Sequence, residues 1–497
     1  MTRLGARQMI DAVTDNGTWQ SWDEALPDTA HDAGYANELA CARTKTGLDE
    51  SVLTGTASIG GRRVAMLVCD FGFLGGSIGV AAGQRLTIAI RRATAQRLPV
   101  LALPTSGGTR MQEGTAAFLQ MVAIAAAVTD HKAAKLPYLV YLRHPTTGGV
   151  YASWGSLGHL TIAEPGALIG FLGPRVYEAL YRSPFPEGVQ SSENLYERGL
   201  VDAVCEPGEL AGIVGRTLDI ILEPSRAQSV SSLSRPAARD VPAWQSVLAS
   251  RHPQRPGVRD LLAGAQVVPL HGTGHGEVDP GLTVALVRFE DTSCVLLGQD
   301  RAAQEHAPIG PAALRQARRG MRLASELGLP LVSIIDTPGG ELSRAAEEGG
   351  IAPEIAHCIA DMITLDVPTV SVLLGQGTGG AALALFPADR TLAAAHGWLS
   401  PLPPEGASAI LHHTTEHAAD MAARQGVRSA DLLAIGALDG IIGEYPDARS
   451  EPAQFCARVT SAIRHELASL RTVDSADRSS RRAQRFESLT LERGRAA

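Results

Sequence analysis

The sequence predicts an α/β protein in which one fold is used twice. Two observations carry this reading. A cycle of apolar strand, glycine turn and amphipathic helix runs through the first half of the 497 residues and returns in the second. The apolar run "LALPTSGGTRMQEG" (101–114), broken at Gly107-Gly108, also has a later partner in "LVSIIDTPGGEL" (331–342), broken at Gly339-Gly340. Length agrees, because 497 residues exceed one ordinary core and suit two domains of roughly 200–250 residues.

In the first half, "VAMLVCDFGF" reads as a buried strand. "AAGQRLTIAIRRATAQR" follows as a helix, with Leu86, Ala89, Ile90 and Ala93 at helical spacing. "LPVLALP" is a strand. "GTAAFLQMVAIAAAVTDHK" is a helix apolar almost all round, and so expected to be deeply buried. "LPYLVYL" is a strand leading into the glycine-opened "HPTTGGVYASWGSLG". The second half repeats the order. Strands "LTVALVRF" and "SCVLLGQD" precede the helix "PAALRQARRGMRLASELG", which carries Leu314, Ala317, Met321 and Ala324 on one face and Gly328 as a C-cap. Strand "LPLVSIID", helix "APEIAHCIADMITLD", strand "VPTVSVLL" and the glycine-opened "GQGTGGAALAL" complete it. "YERGLVDAV" and "LAIGALDGII" close the two copies alike. The expected division is a polar N-terminal extension over 1–45, copies over 46–222 and 261–470, and a Ser-, Pro- and Arg-rich linker with one helix over 223–260. A tail over 471–497 is expected as a surface helix or disorder.

A net charge of −8 and pI ≈ 6.0 give no support for a nucleic-acid-binding face. The six cysteines form no CxxC pair. Several sit in apolar runs, as Cys69 and Cys294 do, which suits small core residues of a reduced, cytoplasmic protein without a cysteine metal site. The N-terminus lacks the apolar region of a signal peptide. The longest apolar stretch, "AAFLQMVAIAAAV", is too short to span a bilayer, so no membrane partner is expected.

A strand that ends in two glycines and opens a helix can bind negative charge. Glycine allows a tight turn and close approach, and the following backbone offers free N–H groups. Four such places exist, at Gly107-Gly108, Gly148-Gly149, Gly339-Gly340 and Gly379-Gly380, two in each half. Converging amides form an oxyanion hole, each donor contributing about 3–4 kcal/mol toward a developing anion. Two holes suit a reaction with two anionic intermediates. Weaker motifs compete. "GGSIG" (75–79) fits a serine elbow at Ser77 but no His is singled out as its base. "GQGTGG" (375–380) fits a dinucleotide loop but is followed by a segment broken at Pro387. His413 with His417, and His271 with His275, are candidate metal pairs without an evident third ligand. The arginines of "RRGMR" and "RHPQRP" read as phosphate grips or as a solvated face.

Taken in order, these segments resemble a known family. "FGFLGGSIGVAAGQR", "SGGTRMQEGTAAFLQM", "LPYLVYLRHPTTGGVYASWGSLGHLTIAEPGALIGFLGPRV" and "FPEGVQSSENLYERGLVDAV" resemble the β subunit of the carboxyltransferase component of acetyl-CoA carboxylase. "AWQSVLASRHPQRPGVRDLL", "IIDTPGGELSRAAEEGG", "GQGTGGAALAL" and "SPLPPEGASAIL" resemble its α subunit. The resemblance covers about residues 45–205 and 240–445. It implies β-type and α-type subunits fused in one chain, each half a crotonase-like domain built as a spiral of ββα units. It also implies transfer of CO2 from N1-carboxybiotin, on a biotin carboxyl carrier protein served by a biotin carboxylase, to the α-carbon of an acyl-CoA. Acetyl-CoA to malonyl-CoA, a step of fatty acid biosynthesis, is the first expectation. The two anions would be a biotin ureido oxyanion and a thioester enolate, with biotin itself taking the proton. The family's active sites form where the β-type domain of one protomer meets the α-type domain of another, so a homodimer or larger homo-oligomer is expected, with no metal.

Carried over residue by residue, Gly107, Gly108, Gly148 and Gly149 would form the β-type hole. Gly339, Gly340, Gly380 and Ala381 would form the α-type hole. Arg110 would steady a carboxylate or a CoA phosphate, and Gly75, Gly76 and Glu341 would line the substrate. The chain departs from the family in lacking a four-cysteine zinc ribbon. Thr109 stands where Ala is usual, His159 where Asp is usual, and Ala381 where Gly is common. "DTPGGELSR" and "HGTGH" also replace the family's usual loops. These departures keep two alternatives open: a biotin-independent malonyl-thioester decarboxylase, and a non-catalytic scaffold partner of a carboxylase.

Overall fold

The computed structural model describes residues 3–24, 32–223 and 241–493. They form two compact units, Met1–Asp219 with Gly274–Gly276, and Ile220–Thr273 with Glu277–Ala497.

In the first unit seven strands lie side by side in chain order: Gln20–Ser21, Val52–Ile59, Arg62–Cys69, Val100–Leu103, Tyr138–Leu142, Leu160–Ala163 and Ala203–Val204. Val52–Ile59 and Arg62–Cys69 are an antiparallel hairpin. Its two-residue turn is Gly60-Gly61, both at positive φ, which matches the twist of the flanking strands. From Arg62–Cys69 onward the pairing is parallel, with Ala65 opposite Val100 and Val100 opposite Tyr138. Parallel neighbours require long crossovers, and these are the helices Val80–Ala95 and Gly114–Ala133. Val80–Ala95 buries Leu86, Ala89, Ile90 and Ala93, the stripe its spacing predicts.

The second unit repeats the pattern with Gln266–Leu270, Leu282–Phe289, Thr292–Gln299, Leu331–Thr337, Thr369–Thr378, Arg390–Ala394 and Gly440–Ile442. Trp398–Ser400 branches off beside Thr369–Thr378. Val295 lies opposite Leu331, and Leu331 opposite Thr369. The crossover helix Pro311–Leu327 stops at Gly328, whose φ of 66° gives the left-handed cap. The central parallel strands are buried along their whole length, which explains their unbroken apolar runs.

Several expectations are corrected. Gly114–Ala133 is a helix but not deeply buried on all sides. Ala117, Met121, Ile124, Ala127 and Val128 enter the core, while Phe118, Leu119 and Val122 are 58%, 56% and 67% exposed. With its leading turn it spans Met111–Ala133, 23 residues, long and apolar enough by length and composition to cross a membrane. The shorter stretch counted in the sequence missed that length. The helix nonetheless contributes one face to the core of its unit. The N-terminal extension carries the helices Ala6–Val13 and Ala33–Thr46, and Met9, Ile10 and Val13 are buried. Of the expected linker, residues 224–240 lie outside the described residues. The rest carries Ala243–Ser250 and Val258–Leu262, which bury Val247, Val258 and Leu261 in the second unit. Most of the tail is the helix Ser475–Arg493, fixed by Arg482 on Asp389 at 2.8 Å.

Candidate active site: free amides at the ends of parallel strands

The strand Val100–Leu103 leads into a turn whose shape is held from within. Gly108, at φ 114°, donates its N–H to Ser106 Oγ at 3.0 Å, and that hydroxyl donates to Gly108 O at 3.2 Å. Gly107 donates to Gly75 O at 2.9 Å. Ile78 accepts from Arg110 N–H and donates to Gly108 O, both at 3.0 Å, which leaves the intervening Thr109 N–H pointing away. The next strand, Tyr138–Leu142, leads to Gly148, at φ 64°, whose N–H is taken by Gly170 O and Phe171 O. The following Gly149 N–H meets no acceptor among the described residues, and neither does that of Thr109. The two turns abut: a Cβ built at Gly108 would lie 3.8 Å from Gly149 N, and one at Gly149 would lie 3.3 Å from Thr109 Oγ1.

The second unit builds the same device with Thr337, Gly339, Gly340, Gly379 and Gly380 at one constant spacing from Ser106, Gly108, Thr109, Gly148 and Gly149. Gly339, at φ 139°, donates to Thr337 Oγ1 at 3.1 Å, and Thr337 Oγ1 donates back to Gly339 O at 3.0 Å. Ile309 bridges Gly340 as Ile78 bridges Thr109. Among the described residues the N–H groups of Gly340, Gly380 and Ala381 have no acceptor. Isoleucine side chains close over these glycines, since a Cβ at Gly380 would lie 2.6 Å from Ile355 Cδ1 and one at Gly340 would lie 3.1 Å from Ile351 Cδ1. Each unit therefore presents unspent main-chain donors at partly exposed positions, Thr109 and Gly149 in the first and Gly340 and Gly380 in the second, with Ala381 buried behind them. Such preorganised donors stabilise an oxygen that gains negative charge, without the reorganisation water would require.

Not every expected residue serves. The amides of Gly107, Gly108, Gly148 and Gly339 are consumed inside the turns, so these residues shape the sites without donating. Gly149, Gly340, Gly380 and Ala381 keep free amides. Thr109, noticed in the sequence only as a substitution, is the missing donor of the first unit, and its constant spacing from Gly340 was the signal that could have found it. Gly76 is a packing glycine, because a Cβ there would lie 2.1 Å from Thr105 O. Gly75 lines a cavity of ≈ 700 Å³ with Arg3, Lys45, Phe71 and Cys41.

Arg110 does not face substrate. It is 1% exposed, and its guanidinium donates to Glu50 through both terminal nitrogens, at 2.8 Å for Nη1, and to Ser77 O at 2.8 Å. Burial alone would depress Arg110, but Glu50 holds it above the ordinary arginine value. It is a bolt between the 50–51, 77 and 110 backbones. Glu341, at the matching place in the second unit, is half-buried. Its Oε1 accepts from Ser343 Oγ at 2.6 Å, and it faces Asp279. Burial raises the Asp279 carboxyl and Glu341 raises it further, against the Gly281 and Gly310 amides.

The competing motifs have structural roles. Ser77 Oγ donates to Leu74 O at 2.8 Å and accepts from Arg110 Nε. "GQGTGG" lies mostly on the strand Thr369–Thr378. His417 stacks on His412 at 4.5 Å, and no group of three His, Cys, Asp or Glu side chains that could hold a metal occurs among the described residues. Arg318 pairs with Asp361 and Glu354, Arg251 with Glu405, and Arg255 with Glu444, so these arginines brace the second unit. His159 Nδ1 accepts the Tyr138 N–H at 3.0 Å.

Residues 2–482 match the family model of the carboxyl transferase domain. The chain is 57% identical over 497 residues to a probable biotin-dependent acyl-coenzyme A carboxylase beta3 subunit of Mycobacterium tuberculosis, covering 99% of this chain and 100% of that one. It is 35% identical over 511 residues to the acetyl-coenzyme A carboxylase carboxyl transferase subunits beta/alpha of Salinispora tropica, covering 98% and 90%. Among solved structures, transcarboxylase 12S superposes with a TM-score of 0.74 at 19% identity, over 95% of this chain and 90% of that one. A single-chain, multi-domain long-chain acyl-CoA carboxylase gives 0.70 at 21% identity, over 92% and 46%. The fold is thus the α/β architecture of carboxyltransferases, with crotonase-like domains.

Proposed function

The chain belongs to the carboxyl transferase family, and from that membership we propose that it moves a carboxyl group from carboxybiotin on a separate carrier protein to the α-carbon of an acyl-CoA. The observation that carries the reading is the doubled set of free amides, Thr109 with Gly149 and Gly340 with Gly380 and Ala381. The reaction develops negative charge on two oxygens, and the chain presents donors for two. One set holds the thioester oxygen as the α-proton leaves. The other holds the ureido oxygen as the N–CO2 bond breaks. The carboxyl carbon then bonds to the α-carbon. Biotin, when bound, supplies the carboxyl group and receives the proton. Each donor contributes about 3–4 kcal/mol at its anion. The cavity lined by Arg3, Lys45, Phe71 and Gly75 suits part of a CoA in size, at ≈ 700 Å³, while Glu38 and Asp70 balance the two cations of its lining.

The same proposal takes the first unit as β-type and the second as α-type. Relatives whose printed name joins beta and alpha subunits in one chain support it. It includes a homodimer or larger assembly, for which the exposed apolar face of Gly114–Ala133 is suited, in the cytoplasm with a biotin carboxylase and carrier as partners. Acetyl-CoA to malonyl-CoA is the reaction to test first. In an assay of acetyl-, propionyl- and longer acyl-CoA, product forms only when a carboxylated biotin protein is added. Carboxylation without a biotin donor, or release of CO2 from malonyl-CoA by the chain alone, would contradict the reading.

A further inference from the structure

One side chain of the second unit reaches both turns that carry its free amides. Gln299 ends the strand Thr292–Gln299 and is buried. Its Oε1 accepts the Asp336 N–H at 3.1 Å, and its Nε2 donates to Ala381 O at 2.8 Å. Asp336 lies in the strand Leu331–Thr337, which runs directly into Gly339 and Gly340. Ala381 lies in the short helix Gly379–Leu383, whose opening amides are the other donors.

That helix has little means of fixing its own direction. Five residues are too few for a self-supporting helix. The Leu385 N–H, which an α-helical turn would bring to Ala381 O, goes instead to Ala382 O at 3.2 Å. A buried carbonyl left without a donor is costly, so Ala381 O is held where Gln299 meets it. Asp336 adds a second fastening, because its Oδ1 accepts the Gln376 N–H at 2.9 Å. Gly375 gives it room, since a Cβ there would lie 2.5 Å from that oxygen. The first unit lacks this device. Its hairpin places Cys69 opposite Val52 as Gln299 lies opposite Leu282, and a thiol cannot span the same distance. There the Cys69 thiol faces the Thr105 N–H, the counterpart of that of Asp336, and no bond from it to a second turn occurs among the described residues.

We propose that Gln299 is a positioning residue of the second amide site, a strut that sets the direction of the Gly380 and Ala381 N–H groups relative to that of Gly340. The catalytic consequence rests on the reading that these amides hold an anion of the transfer reaction. Gln299→Met keeps the length of the side chain and removes both hydrogen bonds. Gln299→Leu removes both hydrogen bonds with a shorter, branched side chain. Both variants are expected to lower kcat about 10- to 100-fold, the scale of a 1 Å misplacement, with KM for acyl-CoA within about twofold. Crystal structures of the wild type and each variant are expected to show Gly380 N moved by about 1 Å or more relative to Gly340 N. Either variant, folded, with kcat within twofold of wild type and the turn unmoved would overturn the proposal, as would a rise in KM at unchanged kcat. If the wild type transfers no carboxyl group, the reaction assigned above fails, while the crystallographic comparison still decides the role of Gln299.

Discussion

The two units keep one backbone and differ in the charges set beside it. Ser106, Gly108, Thr109, Gly148 and Gly149 in the first match Thr337, Gly339, Gly340, Gly379 and Gly380 in the second, with the same hydroxyl brace in each. The residue after the donor is Arg110 in one and Glu341 in the other. Arg110 is sealed against Glu50, an opposite charge. Glu341 faces Asp279, a like charge. What both units keep is the set of main-chain donors, the feature on which the proposed anion stabilisation depends. The side chains around them were free to diverge, and they tune stability in opposite ways.

That contrast can be broken at several strengths. Arg110→Met leaves the Glu50 carboxylate buried and unpaired, so it is expected to destabilise the first unit by about 3–5 kcal/mol, read from a denaturant melt. Gly380→Pro removes a donor from the second unit and is expected to lower kcat about 10²- to 10³-fold, read in the donor-dependent transfer assay. Assembly should survive, and unchanged transfer would mean that the second unit's amides are idle. Ser106→Ala and Thr337→Val each remove a brace from one turn and are expected to cost about 1 kcal/mol, equally in the two units. An unequal loss would show that the two turns are held differently.

The smallest effect concerns pH. The Asp279 carboxyl is raised in the folded chain, so its contribution to stability is present below the ordinary carboxylate value of 3.8 and is lost as pH rises through the folded value. Asp279→Asn lacks that loss. Its stability relative to wild type should therefore increase as pH rises above 3.8, in melts taken across that window. A difference that is flat with pH would mean that burial, with Glu341 beside it, does not raise the Asp279 carboxyl.

Much of this organisation is legible in the sequence, because it depends on local rules. Period-3.6 stripes place Leu86 and Ala89, and later Leu314 and Ala317, on the buried faces of their helices. The paired strand-to-turn transitions at Gly108 and Gly339 are visible as repeated glycines. What is not legible is which amide remains unspent. Gly107 loses its N–H to Gly75 O, an acceptor from a distant loop, and Gly148 loses its own to Gly170 and Phe171. Arg110 reads as an available cation until Glu50, 60 residues earlier, folds onto it. The outer face of Gly114–Ala133 shows the complementary error, since an apolar helix does not reveal from its sequence which side its own unit covers. Met9, Ile10 and Val13 of the helix Ala6–Val13 carried a readable helical spacing that the polar surroundings obscured.

On the function proposed above, main-chain amides, and not the side chains beside them, hold the developing anions. Thr109 separates the two, because its side chain and its N–H can be removed independently. Thr109→Ala keeps the donor and is expected to transfer carboxyl groups within about twofold of wild type. Thr109→Pro removes the donor and is expected to lose about 10²-fold or more in kcat, with both variants folded. Equal rates in Thr109→Ala and Thr109→Pro would contradict the account.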